Sequence, residues 1–148
     1  LITVRRATEA DAQGIFMLCI QMHGETDFKH FAFDPEKAFA GLHRWIGKED
    51  AIMFVAVNSD AIIGMMAGNT QEMWFSHDQC VAEQLLYVEP HSRGTRAAYL
   101  LAKSFFQWAH EKSNHIHAGV GTGLQNAAGK LYEKFGLSHV GGNFIKHC

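Results

Sequence analysis

Residues 82–98 constrain this chain more than any other stretch. Ala82-Glu83-Gln84-Leu85-Leu86-Tyr87-Val88 reads as a strand, Pro90 closes it, and His91-Ser92-Arg93-Gly94-Thr95-Arg96-Ala97-Ala98 turns into a helix. Apart from Glu83 and Gln84 the strand is apolar on both faces, the pattern of an interior strand covered from both sides. The helix runs from about residue 94 to 112, with Ala97, Leu100, Leu101, Ser104, Phe105 and Trp108 at a 3.6-residue period. Such a segment sets the N-terminus of a long helix at the end of a central strand. Unpaired N–H groups and partial positive charge gather at a helix N-terminus, and anions settle there. Arg93 and Arg96 add full charges, and Gly94 permits a turn that side chains would block. A pyrophosphate fits this combination. A plain strand-to-helix turn capped by solvated arginines fits it as well, and the turn alone does not separate the two.

The rest of the chain surrounds this segment with alternating elements. Residues 2–8 read as a first strand. Thr8 and Asp11 offer N-cap or first-turn groups for a helix to about residue 22, with Ile15, Leu18, Cys19 and Met22 on one side. Residues 23–33 show no clear period. Asp34-Pro35-Glu36 starts a second helix, with Asp34 as cap, Pro35 in the first turn, and Phe39, Leu42, Trp45 and Ile46 as its stripe. Residues 51–57 and 61–68 flank Asn58-Ser59-Asp60, a hairpin signal. Residues 115–120 form a short strand. Residues 125–135 form a helix stopped by Gly136, and residues 137–146 a last strand or bent pair broken at Gly141-Gly142. The order β-α-α-β-β-β-α-β-α-β predicts a mixed α/β domain spanning residues 1–148.

Bulk properties narrow the function. With 47% apolar residues in 148, the chain can build a core. A net charge of −2 argues against nucleic acid as partner. No stretch has the apolar length of a membrane span, and residues 51–57 read as a buried strand. Arg5 and Arg6 are followed by polar residues, unlike a signal peptide. Cys19, Cys80 and Cys148 are odd in number and widely spaced, as in reduced thiols of a cytoplasmic protein.

A second segment changes the weight of the first. Asn126-Ala127-Ala128-Gly129-Lys130-Leu131-Tyr132-Glu133-Lys134-Phe135-Gly136-Leu137 follows the phosphate-type turn in the order and spacing used by the GNAT superfamily of N-acetyltransferases, which the chain resembles. Residues 2–11 resemble the family's first strand and helix entry. Phe54-Val55-Ala56-Val57 and Ile62-Ile63-Gly64 resemble its second and third strands, and residues 88–98 its acyl-CoA phosphate motif. That motif has Arg or Gln, two residues, Gly, one residue, then Gly or Ala. Arg93 and Ala98 match its ends, whereas Arg96 stands in the place of the middle glycine.

The resemblance implies a single-domain GNAT-like fold, with a mostly antiparallel mixed sheet, helices on both faces, and a splay between the fourth and fifth strands. It implies acetyl-CoA as cosubstrate, bound in that splay without a metal, and direct transfer of the acetyl group to a primary amine of a small molecule or peptide. Backbone groups at Leu86, Tyr87 and Val88 would hold the pantetheine arm. Arg93, Gly94, Thr95, Arg96, Ala97 and Ala98 would cradle the pyrophosphate, and Asn126 would contact cofactor or cap its helix. Tyr132 takes the place of the family's tyrosine, a general acid for the departing thiolate. Glu83 takes a position that serves as general base in some members. Homodimers are common in the family.

Each role has a plainer alternative. Ala128, Leu131, Tyr132 and Phe135 lie on one stripe, so Tyr132 also reads as core. Glu83 also reads as a structural partner for a cation. Arg96 leaves open a non-catalytic acyl-CoA-binding module. His115 and His117 share a strand face with metal-ligand spacing, yet ten histidines make chance pairs frequent and a third ligand is missing, so a metal-dependent hydrolase is the remote option. Cys19 and Cys80 lack an activating base and read as packing residues. Phe28, Phe31 and Phe33, with Glu25 and Asp27, read either as an acceptor pocket for a cationic amine or as the apolar underside of a loop.

Overall fold

The computed structural model describes residues 1–119 and 128–148. Its centre is a five-stranded sheet in the order β1-β2-β3-β4-β5, formed by β1 (Ile2–Arg6), β2 (Ala51–Asn58), β3 (Ala61–Glu72), β4 (Gln79–Val88) and β5 (Ile116–His117). The first four strands run antiparallel to their neighbours, and β4 and β5 are parallel. The helices are α1 (Ala12–Glu25), α2 (Pro35–Gly41), α3 (Ala97–Lys112) and α4 (Ala128–Lys134). No helix among the described residues is long and apolar enough to cross a membrane.

The sheet is covered on both faces. Ile52, Phe54, Met66, Val81 and Val88 pack against Leu101, Phe105, Phe106 and Trp108 of α3 and Tyr132 of α4. Met53, Val55, Met65, Ala67 and Tyr87 pack on the other side against Ile15 and Leu18 of α1 and against Leu42 and Ile46. Alternation along each strand divides its side chains between these two layers.

Local chemistry explains the boundaries. Ser59 and Asp60 both take positive φ, 49° and 66°, which makes the predicted β2–β3 hairpin turn a two-residue loop. The Asp34 carboxylate accepts from the Lys37 N–H at 3.1 Å with Pro35 behind it, so α2 starts as its sequence predicts. The α2 helix stops at Gly41, and Leu42–Arg44 continue as a 3-10 turn that carries the apolar stripe onward to Ile46. Asp11 anchors the entry to α1. Arg5 donates to its two oxygens at 2.7 and 2.9 Å and the Thr8 N–H at 2.8 Å, and the guanidinium holds the carboxyl down to about 2.

Three expectations change. The α3 helix begins at Ala97, not at Gly94, leaving residues 93–96 as an exposed turn. Among the described residues the fifth strand is only Ile116–His117, and no strand forms over residues 137–146. The last two are linked. A further strand needs a ladder to pair with, and two residues of β5 provide almost none. Val140 and Phe144 therefore stay exposed. The tail instead brings His147 onto Asp27 at 3.1 Å, with its ring 4.3 Å from that of His30. Gly136 does cap α4 with φ 90°, as its place in the sequence predicts.

Candidate active site at the parting of β4 and β5

The fourth strand contains a bulge. Ala67 pairs with Leu85 but Gly68 with Glu83, so Gln84 has no opposite number. A bulge reverses the alternation on either side of it. Before it, the Val81 N–H donates at 2.8 Å to the His115 carbonyl on the β5 side. After it, the Glu89 N–H donates at 2.9 Å to Ile63 on the β3 side, and the same alternation turns Tyr87 and Leu85 toward β3. Leu86 and Val88 therefore present their N–H and C=O groups to the β5 side. Among the described residues no strand receives them, because there β4 and β5 pair only at Val81–Ile116 and Ala82–His117. The predicted splay is thus present. Among the described residues its free groups are the Leu86 N–H and C=O and the Val88 N–H. The Val88 carbonyl accepts from Arg93 Nε at 2.9 Å.

Glu83 stands where the strands part. Its carboxylate accepts from the Gly119 N–H at 3.1 Å, so a side chain replaces the backbone ladder there. Burial pushes this carboxyl up to about 7, and the Gly119 hydrogen bond opposes the shift. At neutral pH the group exchanges a proton readily, as a general base must. Tyr132 lies close by on the α4 side. It is buried against Phe106, with ring centroids 5.7 Å apart at 86°. Burial raises the phenol above its ordinary range, and the Glu83 charge adds to the shift. The phenol is therefore protonated at every physiological pH. Its hydroxyl makes no hydrogen bond among the described residues.

At the far end of the same strand lies the turn into α3. Gly94 takes φ 81°, the conformation that favours glycine. The backbone N–H groups of Gly94, Thr95, Arg96, Ala98 and Tyr99 have no acceptor among the described residues, while that of Ala97 is met by Thr95 Oγ1 at 3.3 Å. These five amides, within six residues at the mouth of a 16-residue helix, suit a pyrophosphate. Arg96 takes φ −79°, which any L-residue adopts, so the missing glycine leaves no strain. Roughly 16 Å of strand, at about 3.3 Å per residue, separates Glu83 from the end of β4 at Val88, where the turn to this mouth begins.

Other candidates are placed as follows. The backbone of Tyr87 pairs with Met65, and its hydroxyl donates at 2.6 Å to Glu25 on the opposite face of the sheet. Glu25 also forms an ion pair with Arg93, which holds its carboxyl below the usual range. Asp27 is engaged by His30 and His147, and these three could hold a metal ion. The acidic groups of residues 23–33 are therefore already partnered. Phe33 packs on Phe16 and His23 beneath its loop, whereas Phe28 and Phe31 are exposed. Burial pushes the Cys19 thiol up to about 11. His115 and His117 are exposed and belong to no three-ligand group among the described residues. Asn126 lies outside the described residues. Sequence reasoning missed Phe106, the platform for Tyr132, although it lies one position along from the Phe105 stripe.

The mixed sheet, its opening beside β4 and the bare helix mouth define an N-acetyltransferase-type α/β fold. The model of the acetyltransferase (GNAT) family matches residues 19–137, and the chain belongs to that family. Solved structures repeat the fold over the whole chain. A transcriptional regulator from Bacillus halodurans C-125 matches with a TM-score of 0.78 at 16% identity, covering 100% of both chains. The aminoglycoside acetyltransferase AAC(6')-Iy, in complex with a bisubstrate analogue of CoA, gives 0.73 at 14%, covering 100% of this chain and 99% of that one. A ribosomal-protein-alanine N-acetyltransferase from Brucella melitensis biovar Abortus 2308 gives 0.72 at 13%, with the same coverage. At these identities the likeness is one of fold. No curated protein matches the chain by sequence.

Proposed function

We propose that this protein transfers the acetyl group of acetyl-CoA directly to a primary amine of a small molecule or peptide. The observation that carries the reading is the edge of β4, unpaired among the described residues, which runs from a carboxyl poised near neutrality at Glu83 toward amides at the α3 mouth that have no acceptor there. An extended arm ending in a pyrophosphate fits an edge bounded in this way. Amides of residues 94–96 and 98 receive the phosphates. Leu86 and Val88 supply backbone groups along the arm, and the Leu86 N–H, the nearer of the two to Glu83, is a fixed donor for negative charge developing on the thioester oxygen.

Glu83 accepts the proton that an ammonium must lose before its nitrogen attacks. The new C–N bond forms as the C–S bond breaks, Tyr132 donates its proton to the departing sulfur, and the second proton released by the acetylated nitrogen passes through solvent to restore the phenol. Neighbours of the fold named as acting on aminoglycosides and on a ribosomal protein support an amine acceptor of either kind.

A second reading, a non-catalytic acyl-CoA-binding module, rests on Arg96 at the usual glycine position. Two measurements decide. Acetyl-CoA at a hundredfold its Kd is expected to stabilise the fold by about 2.7 kcal/mol in a thermal melt. Release of free CoA thiol with a panel of amines follows if transfer occurs. Stabilisation without thiol release supports the second reading, and no stabilisation removes both.

A further inference from the structure

The 3-10 turn that follows α1, Asp27–His30, is fixed from within. Thr26 is buried at its start, where its hydroxyl donates to the Met22 carbonyl at 2.7 Å and accepts from the Phe28 N–H at 3.3 Å. Just beyond the turn, His23 Nε2 lies 2.7 Å from the Phe31 carbonyl. Side chains three apart on a 3-10 turn eclipse one another, so Asp27 and His30 project on the same side.

The tail reaches this turn from the other end of the chain. His147 Nε2 lies 3.1 Å from Asp27 Oδ2, across 120 positions of sequence. Among the described residues this is the only hydrogen bond made by residues 138–148. The His147 ring lies 4.3 Å from the His30 ring at 30°, with the Phe31 ring edge-on to it at 5.6 Å. His30 Nε2 faces the other oxygen of Asp27 at 3.6 Å, too far for a hydrogen bond. Hydrogen bonding therefore accounts for the position of one imidazole and not of the second.

The three residues each bring a donor atom within 4.8 Å of the other two. Around a tetrahedral zinc ion, bonds of about 2.0–2.2 Å set neighbouring donor atoms roughly 3.4 Å apart. The spacings of 3.1 and 3.6 Å to the Asp27 carboxylate bracket that value. Two imidazoles and one carboxylate suit zinc and its first-row neighbours, whereas calcium and magnesium take oxygen donors.

We propose that Asp27, His30 and His147 form a binding site for Zn²⁺ or a first-row divalent ion of like ligand preference, with water in the remaining position, and that the bound ion fastens residues 138–148 to the turn after α1. None of the three takes part in the acetyl transfer proposed above, so the two readings stand or fall separately.

Calorimetric titration of Zn²⁺ into the full chain, carrying no histidine tag, tests the site. Wild type is expected to take up one equivalent that an excess of Mg²⁺ does not displace. His30→Ala, His147→Ala and Asp27→Asn are each expected to weaken that uptake more than about a hundredfold, beyond the roughly 10–100-fold cost of losing a group that only orients a metal ligand. Both histidines are exposed, so their variants leave the core intact. The double variant His115→Ala/His117→Ala is expected to keep the equivalent, which separates the site from chance pairs among ten histidines. Amide exchange over residues 138–148 is expected to slow with Zn²⁺ in wild type and not in His147→Ala. No uptake by wild type, uptake that survives the three ligand variants, or uptake lost with His115 and His117 overturns the site. Tail exchange indifferent to Zn²⁺ overturns the fastening.

Discussion

The carboxylate of Glu83 accepts a hydrogen bond from the Gly119 amide at 3.1 Å, and this contact stands where a backbone ladder between β4 and β5 would otherwise continue. One side chain thus marks the fork of the sheet and supplies a titratable group there. The bulge at Gln84 makes both possible. It turns the edge after Glu83 so that Leu86 and Val88, not Tyr87, face the opening.

If Glu83 is the base, as proposed, its carboxyl near 7 gives a definite pH profile. The wild-type rate should climb as pH rises through about 7 and then level off, because only the ionised carboxylate accepts a proton. Glu83→Gln should lose about 10²–10⁴ in turnover and the limb with it. Stability moves the other way. The folded state raises this carboxyl from 4.5 to about 7, so it binds more protons than the unfolded chain between those values, and stability falls as pH climbs through that window. Glu83→Gln, which escapes this cost, should exceed wild type by on the order of 1–3 kcal/mol at pH 8 and lose the advantage below about pH 4.5. A limb that persists in the variant would remove Glu83 as the base.

Tyr132→Phe separates the acid role from the packing role. The ring is buried on Phe106 while the hydroxyl has no partner among the described residues. Phenylalanine keeps the packing and deletes only the proton. Turnover is expected to fall by about 10²-fold or more, with the melting temperature and CoA affinity unchanged. Turnover equal to wild type would return Tyr132 to the core.

Gly68→Ala tests the bulge. A Cβ there would lie 2.5 Å from the Ala82 carbonyl oxygen and 2.7 Å from the Phe105 ring. Gly68 is the residue opposite Glu83, and Phe105 is fully buried. The backbone oxygen cannot step aside as a flexible side chain could. The variant should lose about 1–3 kcal/mol in chemical denaturation and lose turnover as Glu83 shifts. Wild-type stability and turnover would mean that the fork tolerates repacking there.

Much of this architecture was legible in the sequence, because its signals are local. The hairpin at Ser59-Asp60, the Asp34-Pro35 helix start, the Gly136 cap and the apolar strand entering an Arg/Gly turn each depend on a few adjacent residues. The Ile15, Leu18, Cys19 and Met22 stripe also lies against one layer of the core as its period predicts. The last strand was misread because alternation of apolar residues says nothing about whether a partner edge exists. Val140 and Phe144 have the pattern, but two-residue β5 has no ladder for them.

What the sequence by itself determined is most of the elements and their order, and it proposed the positions for acid, base and anion chemistry. The tertiary structure alone decided which groups are free to act. It bound Arg93 to Glu25, left Arg96 without a counter-charge among the described residues, and turned Tyr87 away from the opening. It also brought Glu83 to the fork beneath Tyr132. Those outcomes depend on contacts between residues far apart in the chain and on desolvation, which exist only once the layers have packed.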